Sequence, residues 1–211
     1  MNCQCQGIED VFGQQYVTRE LQRYRLKGAA KTTRMLTAAI KARGVDGLTL
    51  LDIGGGVGAV QHDLLEAGVQ AATSVDASTA YVGAARAEAE RRGFTDRVSF
   101  KLGNFVEVAE GIPPADIVTL DRVICCYPDM NSLVSLSAKR ARKLYGVVYP
   151  RHTWWIRIGL AVGNFLLRLQ RNPFRTYSHP TQAVEAVLGE NGFKRCSYSQ
   201  TLIWQVIVFS R

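Results

Sequence analysis

Several groups of residues in this 211-residue chain have the types and spacing to do chemistry. The first is LLDIGGGVGAV (50–60), where Asp52 precedes glycines at 54, 56 and 58. Such a turn lets the backbone bend tightly and frees N–H groups at the following helix start for a ligand's polar atoms. A carboxylate just before it suits a ligand carrying an ammonium group. The second is Asp76, placed to hold ribose hydroxyls at the end of a further apolar run. The third is TLDRVICCYPDM (119–130), with Asp121 closing an apolar run and two adjacent thiols, Cys125 and Cys126, before Tyr127. Adjacent thiols could be a nucleophile, half of a metal site, a redox pair or only the wall of a pocket. Cys-x-Cys at positions 3 and 5 together with Cys125 and Cys126 lacks the usual zinc spacing, so no metal is expected. The histidines divide: His62 is expected to face solvent, His152 stays open, and His179 precedes a helix, where it is a base, an orienter or a cap.

Elements that alternate in type position these groups. Gln14 to Arg43 reads as mostly helical with a break at Gly28, which makes residues 1–45 a helical cap. Apolar runs at 48–53, 72–76, 97–102, 115–121 and 143–149 read as strands, and helices follow the first two over 57–68 and 78–93. That alternation predicts a doubly wound α/β fold with a mostly parallel sheet. The end differs, because FKRCSYSQ (193–200) and LIWQVIVFS (202–210) are too close together for a parallel crossover. One antiparallel strand is therefore expected near the C-terminal edge of a seven-stranded sheet. The chain is read as one domain over residues 1–211.

Gly54-x-Gly56-x-x-Ala59 also fits the dinucleotide fingerprint, which would make this a nicotinamide enzyme. The placement of Asp52, the helical segment ahead of the turn and the antiparallel end instead resemble the class I methyltransferases that use S-adenosylmethionine, over residues 45 to 211. The resemblance implies a Rossmann-like methyltransferase fold. It implies that Asp52, Gly54, Gly56 and Gly58 surround the cofactor's methionine part, that Asp76 holds the ribose and that Ala77 lies beside the adenine. In GNF (103–105), Asn104 stands where that family often has Asp, and its amide oxygen can accept from the adenine amino group. Phe105 is either core or an adenine contact, and Asp121 faces the methionine end. LDRVICCYP, RTYSHPTQAVEAVL and LQRYRLKGAAKTTRML are similar to segments of magnesium-protoporphyrin O-methyltransferases, which methylate a porphyrin propionate. In that likeness Tyr24 and Tyr127 line the acceptor pocket, His179 is an acceptor-side base or orienter, and Cys126 occupies the place of a histidine.

The net charge of +8 resides in one span. Between Met130 and Val184 there is no Asp or Glu but nine Lys and Arg residues, which predicts an anionic partner for that region. Within it, residues 150–178 read as a helical insertion. Arg157, Ala161, Asn164, Arg168 and Arg171 share one helical face, and Trp155, Ile158, Val162, Phe165, Leu166 and Leu169 share the other. Three roles are consistent with this pattern: a helix packed on the sheet with its basic face in water, an acceptor lid, and peripheral membrane contact through 154–171. The run from Ile158 to Leu167 is too short to cross a bilayer. With no leader pattern and an odd number of cysteines, a cytoplasmic monomer is expected. The expected activity is methyl transfer to a small, anionic, hydrophobic acceptor, with O-methylation favoured and a porphyrin-like carboxylate among the acceptors. Alternatives are an RNA methyltransferase, disfavoured because no Asn/Asp-Pro-Pro-Tyr motif follows the fourth strand, and a cofactor-binding scaffold without catalysis.

Overall fold

The computed structural model describes residues 3–211, with side chains from Gly7 onward. Any link between Cys3 or Cys5 and the Cys125–Cys126 pair therefore lies outside the described side chains. The N-terminal helices are α1 (Cys3–Val11), α2 (Gln14–Lys27) and α3 (Lys31–Lys41). Then follow β1 (Thr49–Ile53), α4 (Ala59–Glu66), β2 (Ala71–Asp76), α5 (Thr79–Arg91), β3 (Val98–Leu102), α6 (Phe105–Val108) and β4 (Ala115–Asp121). The chain continues through α7 (Met130–Arg140), β5 (Ala141–Pro150), α8 (Trp154–Leu169), α9 (Thr181–Glu190), β6 (Lys194–Gln200) and β7 (Trp204–Ser210).

The strands form one seven-stranded sheet in the order β3-β2-β1-β4-β5-β7-β6. All neighbours are parallel except that β7 runs antiparallel to both β5 and β6. The period-two alternation of each strand explains why helices cover both faces. Leu50, Ile117, Leu144 and Val208 point to one side and pack with Leu36, Ile40, Leu64 and Leu65 of α3 and α4. Leu51, Val118, Tyr145 and Ile207 point to the other and pack with Leu133, Val134, Val184 and Leu188 of α7 and α9. Helix α7 has no counterpart among the expected elements, although a parallel β4–β5 pair requires a crossover. Its start is capped by Asp129, which accepts from the Ser132 N–H at 3.0 Å.

His62 is fully buried, contrary to the solvent-facing position expected for it. It is stacked between Tyr24 and Phe94, with ring centroids 6.2 and 6.1 Å away. Burial drives its pKa down to about 4, with Arg92 adding to the effect. The reason is the packing of α2 across α4 and α5, which turns the outer side of α4 into a second interior.

Candidate active site

A cavity of about 380 Å³ opens at the carboxyl ends of β1, β2 and β4, where the strand order reverses direction. Its floor is the glycine turn. Gly54 has φ +67, and a Cβ there would collide with Val123, so this position needs glycine for both backbone and space. Gly54, Gly55 and Gly56 line the cavity. Gly58 does not: with φ +85 it is the left-handed residue that starts α4, packed against Gln61 and His62. Its expected place around a ligand is thus corrected to a structural one, while Gly55 takes that place.

Two carboxylates line the cavity at the turn. Asp76 accepts from the N–H of Gly56 at 3.0 Å and of Ser78 at 2.9 Å, which ties the end of β2 to the turn. Burial nevertheless pushes its pKa up to about 6, against those hydrogen bonds. Asp52 is 1% exposed; its Oδ1 accepts from Thr119 at 2.7 Å, and its Oδ2 has no partner among the described residues. Burial raises its pKa to about 7, with Thr119 opposing. A buried carboxylate with one orphaned oxygen fits a cationic or N–H-donating ligand group.

Ala77, Asn104 and Phe105 line the next wall. The Asn104 amide oxygen, expected to be available for a base, accepts from the Val106 N–H at 3.2 Å as the cap of α6. Its Nδ2 donates to Glu107 at 3.0 Å and to the Tyr127 hydroxyl at 3.3 Å. Phe105 is buried in the core and also reaches the cavity, so both of its expected roles are compatible.

On the far wall are Asp121, Arg122, Val123, Cys125, Cys126 and Tyr127. Asp121 accepts from Thr33 at 2.5 Å and from the Arg122 Nε at 3.2 Å. Arg122 is a non-glycine residue with φ +62, and it is the cation among the described residues that line the cavity. Among the described residues Asp121 is its guanidinium's hydrogen-bond partner, through Nε, and the Glu20 carboxylate also acts on its charge. The Cys125 and Cys126 sulfurs lie 3.9 Å apart, and that contact together with burial pushes the Cys125 thiol's pKa up. Cys125 is therefore a protonated wall residue rather than a nucleophile at neutral pH.

Two expected acceptor-side residues are elsewhere. Tyr24 does not line the cavity. It is buried against His62 with the Arg92 guanidinium 5.0 Å from its ring, and burial takes its pKa up to about 12. The tyrosine of α2 that does line the cavity is Tyr16, with Glu20 one turn on. Eight helical residues rotate a side chain by about 80°, enough to move it from one neighbour to another. His179 also misses the cavity: its Nε2 lies 3.1 Å from the carbonyls of Ile124 and of Tyr127. Both are acceptors, so Nε2 carries the proton and donates, and burial lowers the pKa. His179 orients the loop that bears Cys126 and Tyr127.

Phe174 and Thr176 form the roof. Their segment is joined to the far wall by the Tyr177 N–H, which donates to the Cys125 carbonyl at 2.7 Å. Phe12 of the helical cap meets Phe174 edge-on, with centroids 5.7 Å apart. Arg122, Tyr16 and Glu20 were not expected at the site, whereas Phe174 and Thr176 belong to the 150–178 insertion, for which an acceptor lid was one of the expected roles. Arg122 was the legible one, since it follows Asp121 directly.

A doubly wound sheet whose last strand is antiparallel, with a glycine turn and two acids at its switch point, defines a class I methyltransferase dependent on S-adenosylmethionine. Residues 45–156 match the family described as a methyltransferase domain, and the chain belongs to it. No curated protein matches the chain. Among solved structures it is similar to magnesium protoporphyrin IX methyltransferase from Synechocystis with bound SAH. The TM-score is 0.76 at 19% identity, covering 97% of this chain and 98% of that chain. The same enzyme with bound SAM gives 0.73 at 18% identity, over 100% and 98%. An O-methyltransferase family protein from Burkholderia thailandensis gives 0.68 at 16%, over 95% and 63%. At these identities the likeness is one of fold.

Proposed function

We propose that the protein methylates an oxygen, favouring a carboxylate, of a small hydrophobic anion, with a porphyrin-like propionate among the candidates. The observation that carries this is Arg122, a guanidinium whose terminal nitrogens have no hydrogen-bond partner among the described residues, set into a largely apolar cavity wall beside Asp121. The cofactor fits the other end: Asp52 offers an orphaned oxygen to the methionine ammonium, and Asp76 and the turn amides offer partners to the ribose and its neighbours. Ala77 and Phe105 supply the adenine wall, and Asp121 closes the methionine end. When bound, the cofactor supplies a methyl group activated by a sulfonium. Arg122 would orient the acceptor carboxylate, Cys126 and Tyr127 would flank it, and the roof at Phe174 would exclude water. A carboxylate is already ionised, so no base is needed. The raised pKa of Cys125 and the committed Nε2 of His179 agree with that.

The test uses labelled S-adenosylmethionine with hydrophobic carboxylic acids, protoporphyrin among them, beside their methyl esters. Label should enter the acids as a base-labile ester and leave the esters unlabelled. Arg122→Met should lower kcat/KM by about tenfold or more, the worth of a lost charge-assisted hydrogen bond, with unchanged cofactor affinity. Equal labelling of acids and esters would refute the carboxylate acceptor. A loss confined to cofactor affinity would move Arg122 to the cofactor's own carboxylate.

A further inference from the structure

Helix α8 is held with its apolar side outward. Trp154, Phe165 and Leu169 are 73%, 60% and 65% exposed, and Trp155, Ile158, Val162 and Leu166 are exposed around them. Ile156 is the buried residue of this helix. What fixes the orientation is polar. Asn164, expected among the arginines on the wet face, points inward instead. Its Nδ2 donates to the Thr176 carbonyl at 2.7 Å, and its Oδ1 accepts from the Thr176 N–H at 2.8 Å and hydroxyl at 3.2 Å. This corrects the packed-helix expectation: the face that would have covered the sheet is the one presented to the surroundings.

We infer that this outer face is a docking surface for an anionic lipid bilayer, with α8 lying flat in the headgroup region. Contiguous exposed apolar surface of this kind marks an interaction site. Trp and Phe on a helix flanked by Arg suit the water–lipid interface. Arg157 and Arg168 border the apolar strip on one side, and Arg171 follows at its end. The span from Met130 to Val184 carries no acid, so pairing two copies through this face would bring like charges together, whereas an anionic surface complements them. Among the described residues no helix is long and apolar enough to cross a membrane, which agrees with a helix that rests on one. The surface stands apart from the methyl-transfer proposal, and it joins that proposal at one point: the segment clamped to Asn164 is the cavity roof, so a docked α8 would put the roof at the lipid boundary.

Flotation with vesicles tests this without any acceptor. The full chain should float with vesicles of phosphatidylcholine containing about a third phosphatidylglycerol, and remain unbound with phosphatidylcholine alone. Arg157→Gln with Arg168→Gln should lower partitioning on the anionic vesicles, as should high salt. Ile158→Ser, Phe165→Ser and Leu169→Ser together should lower it by about tenfold or more, with unchanged circular dichroism and cofactor affinity. Equal flotation of wild type and triple variant would overturn the inference. So would a wild-type dimer in sedimentation velocity that the triple variant dissolves, since a second copy would then be the occupant. Flotation of the wild type on anionic vesicles, without methyl transfer to any carboxylic acid offered, would count against the proposed function alone.

Discussion

Asp52→Asn keeps the shape of a buried side chain and removes its charge, so its effect on cofactor affinity follows from burial. Burial raises the carboxyl's pKa to about 7. A cofactor ammonium favours the ionised form, and affinity should then track the ionised fraction. That fraction is about nine-tenths at pH 8 and about one-tenth at pH 6, which weakens binding by about tenfold, about 1.4 kcal/mol. Asp76, with a pKa of about 6, adds about a further factor of two over the same range. The wild type should therefore lose about twentyfold in affinity from pH 8 to pH 6, and Asp52→Asn only about twofold. Calorimetry with S-adenosylhomocysteine, which keeps the ammonium, measures both. Binding to wild type near pH 7 should also release about half a proton, visible as a buffer-dependent heat, and the variant should release less. An equal pH slope in the two proteins would refute the pairing of Asp52 with the ligand's cation.

Asp76→Ala removes the acceptor that ties the turn to β2 and the proposed ribose partner. Calorimetry should show at least about a tenfold loss of cofactor affinity, and an unchanged value would sink the assignment of this end of the cavity. Burial holds His62 neutral in the folded state with a pKa near 4, below its unfolded value. Its contribution is complete above about pH 6.5 and is lost as pH falls toward 4, by about 3 kcal/mol in total. Melting curves should fall more steeply over that range for wild type than for His62→Phe. Asp52 and Asp76, whose pKa values are raised, act in the opposite sense in both proteins.

The sheet was legible because each strand carries apolar residues for two covered faces, and because residues 200–204 leave no room for a crossover. The glycine turn and Asp76 were legible because their chemistry is local to the turn. Helix α7 was not: its buried stripe of Met130, Leu133, Val134 and Ala138 is interrupted by serines, and buried Ser137 is satisfied by the Leu133 carbonyl at 2.7 Å and the Tyr145 hydroxyl at 2.6 Å. Tyr16 and Tyr24 could not be told apart because periodicity marks faces without saying which neighbour each face meets. Asn164 was misplaced for the same reason: a polar residue with three hydrogen bonds to the backbone and side chain of Thr176 can outweigh the apolar pattern around it.

The antiparallel strand β7 bears on the order in which the protein can be made. It is the last of the seven sheet strands in sequence, yet it lies inside the sheet, with residues 205–209 buried between β5 and β6. Until the ribosome releases residues 204–210, β5 presents an unpaired edge with Val147 and Val148 on its two faces. A chain lacking β7 thus offers other chains a pairing template, a hazard that vanishes when β7 slots between β5 and β6.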